Sequence, residues 1–286
     1  MKIIPPKVEF ITEKNPLKRI ELVARVCWGT ESKITETSAK PFCEKLLKMG
    51  HTSPFEHARV KVPVLKYSEL SSNDIPYGYF NRIVMKGSSK SVDMNVRDYL
   101  NIGGKLDDVE TFEIADDFAT ACFTVDIGIS RELVRHRQFS FMERSTRYVN
   151  MKNGIEFIAP IPFDWAEKTE EKEDKKNTPD RFADHRYQTW FFNCEMAEWS
   201  YQALLKDNCP PQEARNVLPL STATKLYITG MYSQWHDMLK LRADRAAHPQ
   251  MQYAMQLMLK NDNCPMEIKQ WEAGEKIIGR MTTTTA

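Results

Sequence analysis

The stretch FATACFTVDIGIS, residues 118–130, gives the clearest strand prediction in this chain of 286 residues. It is rich in β-branched and aromatic residues, which pack well on a pleated sheet. The stretch runs directly into Arg131, where a short helix is predicted to begin, and a dense run of cationic residues follows. We therefore expect a strand that leads into a positively charged helix.

The rest of the chain is predicted to be mainly helical. Apolar residues at helical spacing, capping residues and prolines predict helices at residues 16–28, 37–50, 181–206, 231–242 and 248–260, and a shorter one in 210–219. Strands are predicted at residues 59–67, 154–162 and 222–230, and the mixed charges of 166–180 predict a loop. Helices outnumber strands without regular alternation. The predicted fold is therefore α+β, with a mixed or antiparallel sheet and packed helices in a single domain over residues 1–286.

Charge and composition argue against several classes of protein. Lys plus Arg is 40 against Asp plus Glu at 39, so the net charge is +1, whereas a nucleic-acid-binding domain is usually strongly basic. No apolar run approaches the about 18 residues of a membrane span, and the start MKIIPPKVEF lacks the apolar core of a signal peptide. The six cysteines form no CxxC pair, disulfide framework or zinc spacing. We expect a soluble, cytoplasmic protein with no metal, nucleic-acid or membrane partner.

The run RHRQFSFMERSTR, residues 135–147, is the strongest candidate for a binding site. On the predicted short helix, Arg131 and Arg135 are four residues apart, as are Glu132 and His136, so the two arginines would share one face. Arginine suits phosphate because its planar fork donates two parallel hydrogen bonds and keeps its charge. A single arginine pair is more simply explained by surface salt bridges, but the whole cluster, with its serines, predicts the lining of a phosphate–sugar pocket.

Three further segments carry candidate residues. The loop GHTSPFEH, residues 50–57, holds His51, Glu56 and His57, whose spacing matches no ordinary zinc pattern. In EARNVLPL the guanidinium of Arg215 lies in an apolar stretch and needs an anionic partner. The segment LRAD, residues 241–244, contains Arg242 on a predicted amphipathic helix. The chain has no nucleophile elbow and no Walker or Rossmann glycine pattern.

Together these motifs resemble those of the flavin-dependent thymidylate synthases. Arg135-His136-Arg137, followed after seven residues by Ser145, is similar to the signature of that family. The segments GHTSPFEH, EARNVLPL and LRAD resemble its other motifs in the expected order, so the resemblance covers nearly the whole chain. Against the family pattern, residues at about 66–117 look like an insertion, with an extra strand near 77–85 and a helix near 94–100. A lid or a subunit contact would suit it.

The resemblance implies an enzyme that methylates a nucleotide. It implies FAD, NADPH, 5,10-methylenetetrahydrofolate and dUMP, which give dTMP and tetrahydrofolate, in a homotetramer whose active sites lie at subunit interfaces. It implies Arg242 as the catalytic arginine that faces the uracil and stabilises its N3-deprotonated form. The implied cofactor-binding residues are His51, Ser53, Arg135, His136, Arg137, Glu143, Met231, Ser233 and Asp237. The implied substrate-binding residues are Glu132, Leu133, Val134, Arg135, Glu143, Arg144, Ser145, Thr146, Arg147, Arg215 and Arg242.

Departures from the family pattern leave two alternatives open. Glu132 stands where glutamine is common, and Met231 and Asp237 stand where asparagines often meet the flavin, with Ser233 and His236 as possible substitutes. The acid at position 132 would permit a related flavin enzyme that alkylates another pyrimidine nucleotide. The second alternative is an RNA-binding module that combines the arginines with aromatic side chains for stacking, namely Phe139, Phe141 and Tyr148.

Overall fold

A computed structural model describes residues 1–70, 84–85, 91–160 and 184–270. Its strands are β1 (Lys2–Ile3), β2 (Lys7–Phe10), β3 (Arg59–Pro63), β4 (Val84–Met85), β5 (Ser91–Asn95), β6 (Phe118–Asp126), β7 (Ser140–Glu143), β8 (Glu156–Phe157) and β9 (Ala223–Met231). Its α-helices are α1 (Pro16–Trp28), α2 (Ala39–Lys48), α3 (Val64–Leu70), α4 (Val96–Asn101), α5 (Leu106–Val109), α6 (Ile127–Leu133), α7 (His185–Lys206), α8 (Pro211–Ala214), α9 (Tyr232–Arg242), α10 (Pro249–Lys260) and α11 (Met266–Lys269). The predicted loop at 166–180 lies outside the described residues.

The central sheet is antiparallel and has the strand order β2-β6-β9-β7. Strand β6 pairs with β9 over its full length, from Phe118 opposite Met231 to Asp126 opposite Ala223. A second sheet has the order β3-β5-β4, and β1 pairs with β8 in parallel. The predicted α+β class with a mixed or antiparallel sheet is therefore confirmed.

Helices cover both faces of the central sheet. On one face α9 and α10 bury a large core against β6 and β9, in which Phe123, Phe139 and Trp235 pack together. On the other face α1 places Val23 and Val26 against the sheet. A separate apolar cluster joins α1 and α2 to β3, β5 and α4. Apolar clusters therefore pack against both faces of the sheet that leads into α6.

The charged helix begins four residues earlier than predicted. Asp126 ends β6 and caps α6, because its side chain accepts a hydrogen bond from the amide of Ile129 at 2.9 Å. The helix starts at Ile127 and ends at Leu133, so Arg135 and the two residues after it lie in the turn before β7. The prediction of one helical face that carries Arg131 and Arg135 is wrong.

Other predicted elements differ at their boundaries. The predicted strand at 59–67 ends at Pro63, which has no amide hydrogen to donate, and α3 follows. Of the strand predicted at 154–162, the described residues 154–160 contain only the strand Glu156–Phe157. The helices at 16–28, 231–242 and 248–260 are confirmed to within a residue. Within 66–117, α4 confirms the predicted helix near 94–100, and the strand β5 before it was not predicted. Strand β4 lies at the end of the strand predicted at 77–85, most of which is outside the described residues.

The absence of a side chain at Gly230 lets Phe139, which follows the cationic turn, pack directly against β9. A Cβ atom at position 230 would lie 2.4 Å from Cδ1 of Phe139, a side chain that is 5% exposed. Gly230→Ala is expected to lower the free energy of unfolding by about 1–3 kcal/mol, because the aromatic ring has no room to move. Urea denaturation of both proteins measures the change. Lys240→Ala on the exposed side of α9 is the control, with an expected effect within about 0.5 kcal/mol, and equal stability of the two variants would contradict this reading.

Candidate active site

An arginine-lined cavity of about 550 Å³ opens where α6 begins, beside the segment that follows β7. Three guanidinium groups border it, those of Arg131, Arg144 and Arg215. Its wall also holds the hydroxyl residues Ser130, Ser145 and Thr146, and one carboxylate, that of Glu143. Fixed positive charge beside hydroxyl donors suits a phosphate ester with a sugar attached. We call this space the arginine cavity.

Backbone hydrogen bonds hold the segment after β7 in place. The amide of Arg144 donates to the carbonyl of Lys225 at 2.9 Å, and the amide of Ser145 donates to the carbonyl of Cys27 at 3.1 Å. The chain approaches the end of α1 closely here. A Cβ atom at Gly29, which has φ 59°, would lie 3.3 Å from Cγ2 of Val149. Glycine therefore ends α1 in the left-handed conformation and lets the two segments meet.

Two residues that line the cavity carry buried polar atoms that the described protein atoms do not satisfy. Nε of Arg144 and Oγ1 of Thr224 are buried and have no hydrogen-bond partner among the described residues. Arg215 donates through Nη1 to Oγ1 of Thr146 at 3.2 Å, which orients its guanidinium toward the segment after β7. Buried polar groups of this kind are usually met by water or a ligand. The arrangement fits an anionic, hydroxylated ligand.

Arg242 lies in a group with Glu132 and His136. Its Nη1 donates to Oε2 of Glu132 at 3.0 Å, and its Nη2 donates to the backbone carbonyl of Glu132 at 3.0 Å. Its Nε lies 2.8 Å from Nε2 of His136, which must accept. A guanidinium has five N–H groups, so two remain for a ligand. The sequence suggested each of these residues separately but not their contact, since Arg242 and Glu132 are 110 residues apart.

The imidazole of His136 is held neutral. Burial lowers its pKa, and the neighbouring charge of Arg242 lowers it further. Since Nε2 accepts from Arg242, the ring proton must reside on Nδ1. The site therefore places a neutral ring, a guanidinium and a carboxylate side by side, with the charges of Arg242 and Glu132 balanced.

Acidification is expected to weaken the fold through His136. Because the pKa of His136 is lowered in the folded protein, the unfolded chain binds this proton more readily. The contribution of His136 to the free energy of unfolding is therefore present above pH 6.5, the ordinary pKa of the group, and is lost as the pH falls through the folded pKa. Urea unfolding between about pH 5 and 7.5 should show a loss of stability that is smaller in His136→Gln, whose amide oxygen still accepts from Arg242. An identical pH dependence in both proteins would contradict this protonation state.

An aromatic stack connects the loop at 51–57 to the segment after β7. Trp28 stacks on His51 with ring centroids 5.8 Å apart and on Tyr148 with centroids 6.3 Å apart. The guanidinium of Arg147 lies 5.3 Å from the centre of the Tyr148 ring. Sequence analysis did not identify Trp28 as part of the site. Its only signal was an aromatic residue at the end of a helix just before a glycine.

The structure brings some of the predicted residues together and leaves others apart. The arginine cavity unites five of the predicted substrate residues, Glu143, Arg144, Ser145, Thr146 and Arg215, and adds Arg131. The side chain of Leu133 is fully buried in the main core, so only its backbone can face a ligand. Exposed positions among the predicted residues are His51, Ser53, Val134, Arg135, Arg137, Arg147, Ser233 and Asp237. The amide of Met231 donates to Oε1 of Gln234 at 2.7 Å. The flavin contacts of Met231, Ser233, His236 and Asp237 stay predictions.

The cysteines do not provide a reactive thiolate. Burial raises the pKa of Cys27, Cys194 and Cys209, and it raises that of Cys43 and Cys264 to about 12 and that of Cys122 to about 11. All six thiols are therefore protonated at neutral pH. Within 1–70, 91–160 and 184–270, no three His, Cys, Asp or Glu side chains are grouped as metal ligands. None of the helices described is both long and apolar enough to cross a membrane.

Comparison with known proteins identifies the family. A flavin-dependent thymidylate synthase of Synechocystis sp. is 29% identical over 140 residues, which cover 47% of this chain and 60% of the relative. One of Mycobacterium tuberculosis is 29% identical over 148 residues, which cover 49% of this chain and 56% of the relative. The matched region thus spans less than two thirds of each relative. The crystal structure of the UMP/dUMP methylase PolB from Streptomyces cacaoi, bound with 5-Br dUMP, aligns with 90% of both chains at 21% identity and a TM-score of 0.42. The sequence model of the thymidylate synthase complementing protein matches residues 9–75 and 84–266, and this chain belongs to that family, the flavin-dependent thymidylate synthases.

Proposed function

We propose that this protein converts dUMP to dTMP, using the methylene group of 5,10-methylenetetrahydrofolate and two electrons from NADPH, and releases tetrahydrofolate. The observation that carries the proposal is the arginine cavity, with Arg131, Arg144 and Arg215 on its wall. The Arg242 group is connected to this cavity along the chain, because Glu132 follows Arg131 directly in α6. On this proposal one nucleotide reaches from the arginine cavity to Arg242, with its phosphate at the first and its base at the second.

The nucleotide phosphate is proposed to bind in the arginine cavity. A phosphate monoester carries up to two negative charges and three acceptor oxygens, so it can accept from several guanidinium groups at once. The hydroxyls of Ser145 and Thr146, which line the cavity, are proposed to bind the phosphate or the sugar. The guanidinium of Arg144 on the cavity wall supplies further donors. Binding would neutralise the positive charge that is concentrated in this part of a chain with net charge +1.

Arg242 is proposed to act on the base. A guanidinium at the edge of the uracil stabilises negative charge as it develops, and it does so best when its orientation is fixed in advance. Glu132 and His136 provide that orientation through three hydrogen bonds. Because His136 is neutral, it orients the guanidinium without adding a second positive charge. The two remaining N–H groups of Arg242 are available to the base.

The exposed residues of the loop at 51–57 and of the turn after α6 are proposed to hold FAD. Ser53 offers a hydroxyl, and Arg135 and Arg137 are exposed cations that suit a pyrophosphate. When bound, FAD carries the hydride that reduces the methylene group donated by the folate. Their exposure in one chain also suits the proposed homotetramer, in which active sites form where subunits meet.

A related reaction on another pyrimidine nucleotide is the second candidate. The carboxylate of Glu132 lies within 3.0 Å of the base-facing guanidinium. A carboxylate accepts equally from N3–H of uracil and from the amino group of cytosine. Parallel assays with dUMP, UMP and dCMP therefore decide which base and which sugar the site selects.

Two measurements test the proposal. The purified protein should take up FAD with the absorbance of a bound flavin, and a protein that stays colourless and binds no FAD would contradict both flavin-dependent readings and favour RNA binding. Incubation with NADPH, 5,10-methylenetetrahydrofolate and each nucleotide should then give a methylated product from dUMP. A methylated product from UMP or dCMP, but not from dUMP, would favour the second candidate.

A further inference from the structure

We propose that Arg97 is a positioning residue for the loop at 51–57, and that it acts through Glu56 and Ser140. The inference rests on the proposed function, because that loop is the proposed flavin loop. Arg97 lies on α4, within the segment 66–117 to which the sequence motifs assigned no function. The inference gives that segment a part in the site.

Both oxygens of Glu56 are engaged by residues outside the loop. Glu56 lies in the 3₁₀ helix Ser53–His57, and its side chain is 10% exposed. Its Oε1 accepts from Nη1 of Arg97, and its Oε2 accepts from Oγ of Ser140 at 2.6 Å. Ser140 begins β7, three residues after Arg137. The carboxylate of Glu56 thus joins α4, the proposed flavin loop and β7, the strand that follows the turn at 135–137.

The backbone of α4 is firmly anchored beside the loop. Asn95 caps the helix, since its side chain accepts from the amide of Asp98 at 2.8 Å. The amide of Val96 donates to the carbonyl of Ala58 at 2.9 Å, and Tyr99 is fully buried. Arg97 therefore projects from a fixed point, and only its side chain has to be ordered to reach Glu56.

Charge explains why the position of Glu56 depends on Arg97. A nearly buried carboxylate is costly unless an opposite charge or hydrogen bonds compensate it. Without the guanidinium, the carboxylate gains by turning toward water, and that rotation breaks its contact with Ser140. Phe55 and His57 are fully buried on either side. The loop therefore keeps its fold, and what is lost is the hydrogen bond that ties Glu56 to Ser140 of β7.

FAD titration of the full-length protein and its variants tests the inference. Arg97→Ala and Arg97→Gln are expected to weaken FAD binding about tenfold, which corresponds to about 1.4 kcal/mol, and Arg97→Lys should restore most of the affinity. When Glu56→Gln is already present, Arg97→Ala should have little further effect on FAD affinity, because no buried charge remains to compensate. Lys40→Ala is the matched control. It removes ion pairs of 2.8 and 3.0 Å to Asp107 and Glu110 in the same segment without touching the loop.

The outcomes separate this inference from the proposed function. Wild-type protein that binds no FAD would overturn both. Wild-type binding with unchanged affinity in folded Arg97→Ala and Arg97→Gln would overturn the positioning role alone. A purely structural role would lower the melting temperature while leaving FAD affinity intact well below it. An effect of Arg97→Ala that is as large in the Glu56→Gln background as in the wild type would also overturn the inference, since Arg97 would then not act through Glu56.

Discussion

Arg242→Ala is expected to lower kcat for dTMP formation by about 100- to 1,000-fold, the usual cost of losing a fixed donor to a developing negative charge. The proposed role of Arg242 is realised mainly in the transition state, so kcat should fall more than the affinity for dUMP. FAD binding should be retained. The measurement is steady-state kinetics with dUMP as the varied substrate, accompanied by FAD titration.

The variant has a close control in the same segment. Arg245→Ala removes an exposed arginine three residues further along and should leave kcat unchanged. Arg242→Lys keeps the charge but cannot reproduce the three contacts to Glu132 and His136, so it should remain strongly impaired. Full activity in Arg242→Ala would show that this arginine is not the one that acts on the base.

Arg215→Ala is expected to raise KM for dUMP by about 10- to 100-fold, since a hydrogen bond to a charged group contributes about 1.5–3 kcal/mol. The phosphate does not change its charge during methylation, so its contacts stabilise substrate and transition state alike and kcat should change little. The affinity should also depend less on ionic strength than in the wild type. Equilibrium binding of dUMP at several salt concentrations, together with kinetics, measures both effects.

Arg186→Ala is the control for this prediction. Arg186 is an exposed arginine on α7 that pairs with Asp184 at 2.8 Å, and it does not line the arginine cavity. Its loss should leave KM for dUMP unchanged. A large fall in kcat with unchanged KM in Arg215→Ala would place Arg215 at the reacting base instead of the phosphate.

The sequence predicted the two central strands of the sheet and its main helices because their signals are local, whereas the flanking strands β2 and β7 were not predicted. Strands β6 and β9 are dense in β-branched and aromatic residues, and α1, α9 and α10 show apolar residues at helical spacing. The start of α6 was missed because Ile127 and Ile129 continue the composition of the strand. The capping bond from Asp126 to the amide of Ile129, which ends that strand, is visible only in the structure.

The candidate site was predicted as a set of residues but not as a set of contacts. Ordered motifs indicated Arg215 and Arg242, yet nothing in their spacing indicated that Arg242 pairs with Glu132 or that Arg215 reaches Thr146. Those pairs form because the central sheet brings distant segments together. Trp28 was not predicted because its stack on His51 depends on how α1 meets the loop at 51–57, which is again a contact between distant segments.

The central claim is that a nucleotide bound in the arginine cavity is methylated by a flavin-dependent route. The most direct measurement is the anaerobic oxidation of the reduced, FAD-loaded protein on addition of dUMP and 5,10-methylenetetrahydrofolate, with dTMP quantified in the same sample. The account predicts flavin oxidation only when both compounds are present, with one dTMP formed per flavin oxidised. Flavin oxidation without dTMP, or dTMP formation without FAD, would contradict it.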